Sequence, residues 1–329
     1  MLRLRPEHRL AVVELGMNHP GEIAALAGVA QPTVALVNNA QREHLEFMQT
    51  VQAVALENGA VLSALPASGV AVFPADEEFT PLWTDLAASR RMARFALTGN
   101  ATATVATSAT TTVPSAAQTL VCRAASWVEG AWTVEASGLG HDFTFSLHIA
   151  GRHNVKNALA AAACALAAGV PLASVVQGLQ AFVPVKGRSR AVALHMADRT
   201  RTLVDDTYNA NPDSVRAAIA VLAELPAPRL LVLGDMGEVG EQGPAFHTEA
   251  GAEAHASGIE QLFALGELAR SAVAAFPGAQ HFDSIEALNA AVLQQLPHSN
   301  SILVKGSRFM RMERVVEALC SAAEQKAQP

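Results

Sequence analysis

Cysteine, aromatic residues, lysine and long apolar runs are all scarce in this chain, and each scarcity removes a class of protein. The three cysteines, Cys122, Cys164 and Cys320, lie far apart with no CxxC or Cys/His metal spacing. Sparse and odd in number, they suit a reducing compartment in which each acts as a small hydrophobe. Aromatics make up 5% of the chain, with one tyrosine and three tryptophans, which argues against a base-stacking platform. Lys plus Arg is 23 against 30 Asp plus Glu, a formal charge of -7 with no basic stripe, which excludes a nucleic-acid binder held by phosphate contacts. The longest apolar stretch, Ala158 to Val170, is well short of the ~20 residues that a bilayer span needs. Met1 to Leu10 is charged and lacks the apolar segment of a signal peptide, so the expectation is a cytoplasmic protein with no membrane span. Of the four lysines (Lys156, Lys186, Lys305, Lys326) none follows a glycine, so no Gly-Lys-Ser/Thr phosphate loop occurs in the chain.

What is present is a long, apolar α/β pattern. At 329 residues, half of them hydrophobic and 16% charged, the chain is large enough for two cored domains. Short apolar runs at Leu10–Gly16, Thr33–Asn39 and Val70–Phe73 alternate with helical stretches near Glu22–Ala30 and Phe47–Leu65, which predicts βαβ units and a mostly parallel sheet. From about Met92 to Ile149 the pattern turns to Thr, Val and Ser with local alternation, an antiparallel β insert. Helix returns at Gly151-Arg-His-Asn and is expected to stop at Gly169, with a shorter helix over Leu172–Phe182. Pro184 to Arg190 reads as the domain joint. Beyond it, strands near Leu203, Leu230–Leu233, Leu262–Leu265 and Ile302–Val304 alternate with helices, predicting a doubly wound, Rossmann-like domain. The expected domains are therefore 1–188 and 189–329.

Ligands of such sheets sit beyond the carboxyl ends of the strands, and the polar residues of this chain gather at such ends. Glu14 and His44 each follow an apolar run, and a carboxylate with an imidazole suits a divalent cation whose shell phosphates complete. A helix-capping carboxylate and an ordinary surface histidine is the other reading. Asn154 and Asn157 lie on one face of the first turn of a helix, either capping it or offering amides to a purine edge. In Asp205-Asp206-Thr-Tyr208-Asn209-Ala-Asn211-Pro212-Asp213, capping of the following helix accounts for Asn211 to Asp213 and leaves Asp206, Tyr208 and Asn209 to a site. Leu230 to Gly240 opens a strand into an acidic, glycine-rich loop without dinucleotide spacing. Lys305 and Arg308 bring two cations to a strand end, where they either meet an anion or stand solvated.

Together, VELGMNHPGEI (13–23), VNNAQREHLE (37–46), GRHNVKNALAA (151–161), KGR (186–188), DDTYNANPDS (205–214), LGDMGEVGEQG (233–243) and VKGSR (304–308) resemble the ATP-dependent Mur ligases of peptidoglycan synthesis, in family order along the whole chain. The Tyr-Asn-Ala-Asn string is specific to the branch that adds D-alanyl-D-alanine. The resemblance implies a central ATP-binding domain followed by a Rossmann-like C-terminal domain. It also implies that UDP-MurNAc-tripeptide and D-alanyl-D-alanine are joined through an acyl phosphate, with ATP and Mg2+, by a protein that is a monomer when complete. By resemblance Glu14 and His44 hold Mg2+, Asn154 and Asn157 face the adenine side, and Asp206 the ribose. Arg188 meets the phosphates with Lys305 as a second catalytic cation, and Tyr208, Asn209, Asn211 and Arg308 lie toward the incoming dipeptide or a closing interface. Domain closure on ATP is implied as well.

Two departures from the family carry expectations of their own. Relatives place a UDP-sugar-binding domain, a strand and a P-loop before the segment matching VELG. The chain is thus expected to be an N-terminally truncated ligase, inactive alone and exposing an apolar sheet edge. Many Mur ligases also carry a lysine, often carbamylated, where this chain has Leu56-Glu57-Asn58, so that Glu57 would supply a carboxylate directly. The alternatives are a non-catalytic nucleotide-binding remnant and a sister ligase such as folylpolyglutamate synthase, against which Tyr208-Asn-Ala-Asn argues.

Overall fold

The structure, a computed structural model, describes residues 4–97, 118–128, 130–196 and 199–327. The chain divides into two compact units. One comprises Met1–Ser126, Thr133–Leu147 and Val155–Ala181, the other Trp127–Trp132, His148–Asn154 and Phe182–Pro329.

The first sheet is built from α1 (Glu22–Ala30), β1 (Val34–Leu36), α2 (Leu45–Met48), α3 (Val51–Ser63), β2 (Val70–Pro74), α4 (Thr80–Ala87), β3 (Arg91–Ala96), β4 (Thr119–Val128), β5 (Ala131–Gly138) and β6 (His141–Leu147), followed by α5 (Arg152–Ala167) and α6 (Leu172–Gln180). Its six strands run in the order β1-β2-β3-β4-β5-β6, with β1 to β4 parallel. The links β4–β5 and β5–β6 are two residues long, too short for a parallel crossover, so β4 to β6 form an antiparallel meander. The second link has positive φ at both Leu139 (52°) and Gly140 (82°), the twist that suits a two-residue hairpin. Gly138 before it is obligatory: at φ 135°, a Cβ there would lie 1.9 Å from the Thr119 carbonyl oxygen.

Three sequence expectations are corrected here. Leu10–Gly16 is not a strand. Leu10, Val12 and Val13 are exposed, because a strand exists only by pairing and β1 has β2 as its single neighbour in the sheet. The helix expected over Phe47–Leu65 is broken at Gln49 (φ 66°). Thr50 then starts α3 afresh, its hydroxyl accepting the Ala53 N–H at 3.1 Å. Met92 does not open the insert but lies in β3, a parallel strand paired with β2 and, at its end, with β4, whose burial the alternating Arg91-Met-Ala-Arg pattern hid. The α5 stop is as expected: Gly169 takes φ 80° and its N–H bonds the Leu166 carbonyl.

The second unit contains β7 (Arg190–His195), β8 (Thr200–Asp206), α7 (Pro212–Ala223), β9 (Arg229–Gly234), α8 (Gly243–Ala256), β10 (Gln261–Leu265), α9 (Arg270–Ala274), β11 (Gln280–Phe282), α10 (Ile285–Gln295), β12 (Ser301–Lys305) and α11 (Glu313–Ala327). The strand order is β11-β10-β9-β12-β8-β7, all parallel except the edge strand β7. Leu203, Leu230, Val232, Ile302 and Val304 are fully buried, the reason β9 and β12 read as unbroken apolar runs. β11, three residues long, is too short to leave a pattern. Arg201 is a structural exception in this core: 1% exposed, it donates from Nε and Nη2 to the Leu296 and Pro297 carbonyls at 3.0 and 3.1 Å. No helix among the described residues is long and apolar enough to cross a membrane.

Candidate ligand site at the strand ends of the second sheet

Parallel pairing sets Lys305, the last residue of β12, beside Asp206, the last of β8. That register creates the centre of the site. Lys305 Nζ donates to Asp206 Oδ2 at 2.7 Å and to the Asn209 carbonyl at 2.8 Å, with only 3% of its side chain exposed. The antiparallel β7–β8 ladder sets Arg190 opposite Asp205, so the preceding residue, Ser189, meets the other oxygen of Asp206. Its N–H and hydroxyl reach Asp206 Oδ1 at 2.9 and 3.2 Å. Asp205, 4% exposed, accepts the Gly187 N–H at 2.9 Å and the Thr207 hydroxyl at 2.7 Å. Gly187 has φ 80°, and a Cβ there would press on the Tyr208 backbone at 3.0 Å. The Lys186-Gly-Arg-Ser segment is thereby stitched to the end of β8.

Above this buried layer sits an exposed cationic one. The Arg188 guanidinium lies 4.0 Å from the centroid of the Tyr208 ring and that of Arg308 6.0 Å from it. Arg308 also pairs with Glu313 at 3.5 Å, and Phe309 beside it is 63% exposed. Two guanidinium forks beside the Tyr208 ring form a face suited to a carboxylate or phosphate, where developing negative charge meets fixed donors.

The structure thus brings Arg188, Asp206, Tyr208, Asn209 and Lys305 together, with Arg308 at the edge. Asn211 is engaged elsewhere, in a capping box on α7. Its Oδ1 accepts the Ser214 N–H at 2.7 Å, and the Ser214 hydroxyl accepts the Asn211 N–H. Asn154 donates to the Ala150 carbonyl at 2.7 Å, and Asn157 accepts from Asn38 at 2.9 Å. Beside Asn157, Lys156 pairs with Asp76 at 2.7 Å and with Glu77 at a short contact, ion pairs at the end of β2 that pattern reading missed. Glu14 is exposed on the unpaired stretch, and His44 is half-buried at the left-handed start of α2 (φ 52°). No group of three or more metal-capable side chains forms among the described residues. Sequence reading also missed Ser189 and Ser307. The Ser307 hydroxyl donates to the Ala210 carbonyl at 3.1 Å and accepts the Gly237 N–H at 2.7 Å, linking three strand-end loops; only the strand register signals such contacts.

The acidic loop after β9 is held from beneath by His247, which is fully buried. Its Nε2 accepts the Met236 N–H at 3.0 Å, which leaves Nδ1 as the donor to the Gly243 carbonyl at 2.7 Å. The ring is therefore neutral, and burial pushes its pKa below the ordinary histidine value. Its folded pKa being depressed, the stability it contributes is present above the unfolded value of about 6.5 and is lost as pH falls from there toward the folded value. The expected result is a melting midpoint that falls between neutral and mildly acidic pH, with a shallower slope in His247→Gln. An unchanged slope in that variant would contradict it.

The fold is that of a Mur ligase. A family model for the Mur ligase middle domain matches residues 1–165 and one for the Mur ligase glutamate ligase domain matches 187–308, and the chain belongs to the Mur ligase family of ATP-dependent ligases. Within the family its likeness is to MurF. It is 36% identical over 330 residues to the UDP-N-acetylmuramoyl-tripeptide–D-alanyl-D-alanine ligase of Escherichia coli, covering 97% of this chain and 67% of that protein. The Haemophilus influenzae ligase of the same name is 32% identical, with 97% and 66% covered. A crystal structure of MurF from Acinetobacter baumannii superposes with a TM-score of 0.84 at 30% identity, covering 97% of this chain and 66% of that one. The chain spans about two thirds of the length of these relatives.

Proposed function

We propose that these residues are the ATP-handling and dipeptide-handling part of a ligase that joins D-alanyl-D-alanine to UDP-MurNAc-tripeptide in peptidoglycan precursor synthesis. The observation that carries the reading is the buried Lys305–Asp206 pair together with the Arg188–Tyr208 stack at the end of the same strand, in a chain 36% identical to the Escherichia coli ligase. ATP phosphorylates the terminal carboxylate of the tripeptide, the dipeptide amine attacks the acyl phosphate, and phosphate leaves from a tetrahedral intermediate. Arg188 and Lys305 supply fixed positive charge for the phosphoryl oxygens and that intermediate. Asp206 orients Lys305 and meets the ribose. Asn154 and Asn157 face adenine, while Tyr208, Asn209, Asn211 and Arg308 meet the dipeptide or the closing interface. Asn211 Oδ1 is held in the α7 cap, so its part in this role would fall to the N–H groups of its side-chain amide. Glu14 and His44 offer one hard oxygen and one nitrogen, a donor set that fits Mg2+ when phosphates and water fill the remaining positions. Mg2+ neutralises phosphate charge when bound.

The sequence has no Gly-Lys-Ser/Thr, so the 329 residues alone are expected to release no phosphate from ATP. The same observation supports the second reading, a nucleotide-binding remnant without turnover. The test is a chimera in which the remaining third of the Escherichia coli relative precedes this chain. Phosphate release that requires ATP, tripeptide precursor and D-alanyl-D-alanine together is expected, falling about 10²–10³-fold in Arg188→Ala. A folded chimera that binds nucleotide and never turns over would sink the ligase reading in favour of the remnant. Turnover by the 329 residues alone would overturn the expected inactivity.

A further inference from the structure

One charged group in the first unit is accounted for by neither the fold nor the ligase reading. Arg94, in the middle of β3, is 5% exposed, and its Nε and Nη1 have no hydrogen-bond partner among the described residues. Only Nη2 is engaged, by weak acceptors: the Thr84 hydroxyl at 3.5 Å and the Met92 sulfur at 3.2 Å. The guanidinium also stands 5.3 Å from the centroid of Phe73, its register partner on β2. Burial pushes its pKa down with no carboxylate acting against that shift. Residues 98–117, which follow β3, contain neither Asp nor Glu.

A buried guanidinium without a counter-charge is among the most costly arrangements a core can hold, and buried charges are ordinarily paired. The neighbours here are donors or neutral. Thr119, 8% exposed and the register partner of Arg94 on β4, presents its hydroxyl on the same face of the sheet. Thr84 comes from α4 and already donates to the Thr80 carbonyl at 2.8 Å, so its oxygen is oriented by the helix. The arrangement is electropositive, buried, and short of an acceptor.

We propose that the face of β3 and β4 around Arg94, with Thr119 and Thr84, binds a small monovalent anion, either a halide or the carboxylate end of a small acid. The bound anion supplies the charge the fold omits. It acts as a structural ion that favours the folded state by mass action. Arg94 is only 5% exposed, so a small anion is expected to reach the guanidinium more readily than a bulky one, and affinity to fall with size.

The test is the melting midpoint of the full chain at constant ionic strength as chloride, or separately acetate, replaces bulky gluconate. The expected result is a rise of roughly 2–4 °C in the wild type, which corresponds to about 1 kcal/mol for a domain of this size. Arg94→Met should show no anion dependence and should melt above the wild type in gluconate, since an uncompensated buried charge has been replaced by an apolar chain. A response to chloride alone assigns a halide, and one to acetate assigns a carboxylate. Equal anion dependence in both proteins, or an Arg94→Met variant less stable by the same margin in every anion, would overturn the proposal. Should that variant fail to fold, wild-type crystals soaked in bromide decide the matter. An anomalous peak in hydrogen-bond contact with the Arg94 guanidinium is expected, and its absence refutes the site.

Discussion

Lys305→Met is expected to cost about 3–5 kcal/mol, because it removes one member of a buried ion pair and leaves the other uncompensated. Asp206 would keep Ser189 on one oxygen but lose the ammonium on the other, with only 15% of its side chain exposed to water. The Asn209 carbonyl would lose its donor as well. At roughly 2–4 °C per kcal/mol, the midpoint of the second unit should fall by roughly 6–20 °C. The double variant Lys305→Met, Asp206→Leu should recover much of the loss, since replacing both members removes the stranded charge. A single variant within about 1 kcal/mol of the wild type by denaturant titration would show that the pair is not the keystone of the strand ends. The functional consequence is separable: in the chimera, the double variant should fold and remain inactive, because the cation is gone.

Glu57→Ala is expected to destabilise the first unit by about 3–6 kcal/mol, since hydrogen bonds to an ionised group contribute about 1.5–3 kcal/mol each and two are lost. The side chain is 8% exposed on α3, and both carboxylate oxygens are used at the start of α1. Oε2 accepts the Gly21 N–H and Oε1 the Ile23 N–H, each at 2.8 Å. Gly21 takes φ 92° with no side chain of its own to cap the helix, so Glu57 supplies the acceptor from a distance of 34 residues in sequence. The resemblance to carbamylated-lysine enzymes points instead to a carboxylate free to meet a ligand. The two roles differ in readout. A cap loses melting temperature and leaves Mg2+ affinity alone, and Glu57→Gln is intermediate because its single carbonyl serves one amide. A metal carboxylate gives the opposite split. Full stability in Glu57→Ala would end the capping account.

Much of the strand-and-helix order was legible without coordinates, because buried parallel strands must be continuous apolar runs and Leu230–Leu233 or Ile302–Val304 have no other comfortable home. Local chemistry likewise declared the α7 cap in Asn211-Pro-Asp and the α5 stop at Gly169, since those residues act within one turn of themselves. The family motifs, too, are a property of the sequence alone. What the sequence left open depends on partners far along the chain. Leu10–Gly16 has the composition of a strand and no neighbour to pair with, and pairing is not written in one segment. Glu57 resembles a reactive carboxylate until α3 packs beside α1 and turns it into a cap. Lys305 and Asp206 each end a strand, and only the β12–β8 register makes them a pair rather than two solvated charges. Ser189 enters the site through the antiparallel β7–β8 ladder, and Arg94 becomes anomalous only once β2, β4 and α4 close around it. Composition and periodicity set which segments bury their side chains. Which charge meets which is decided by strand register and helix placement, because a contact between residues far apart in sequence exists only in the folded chain.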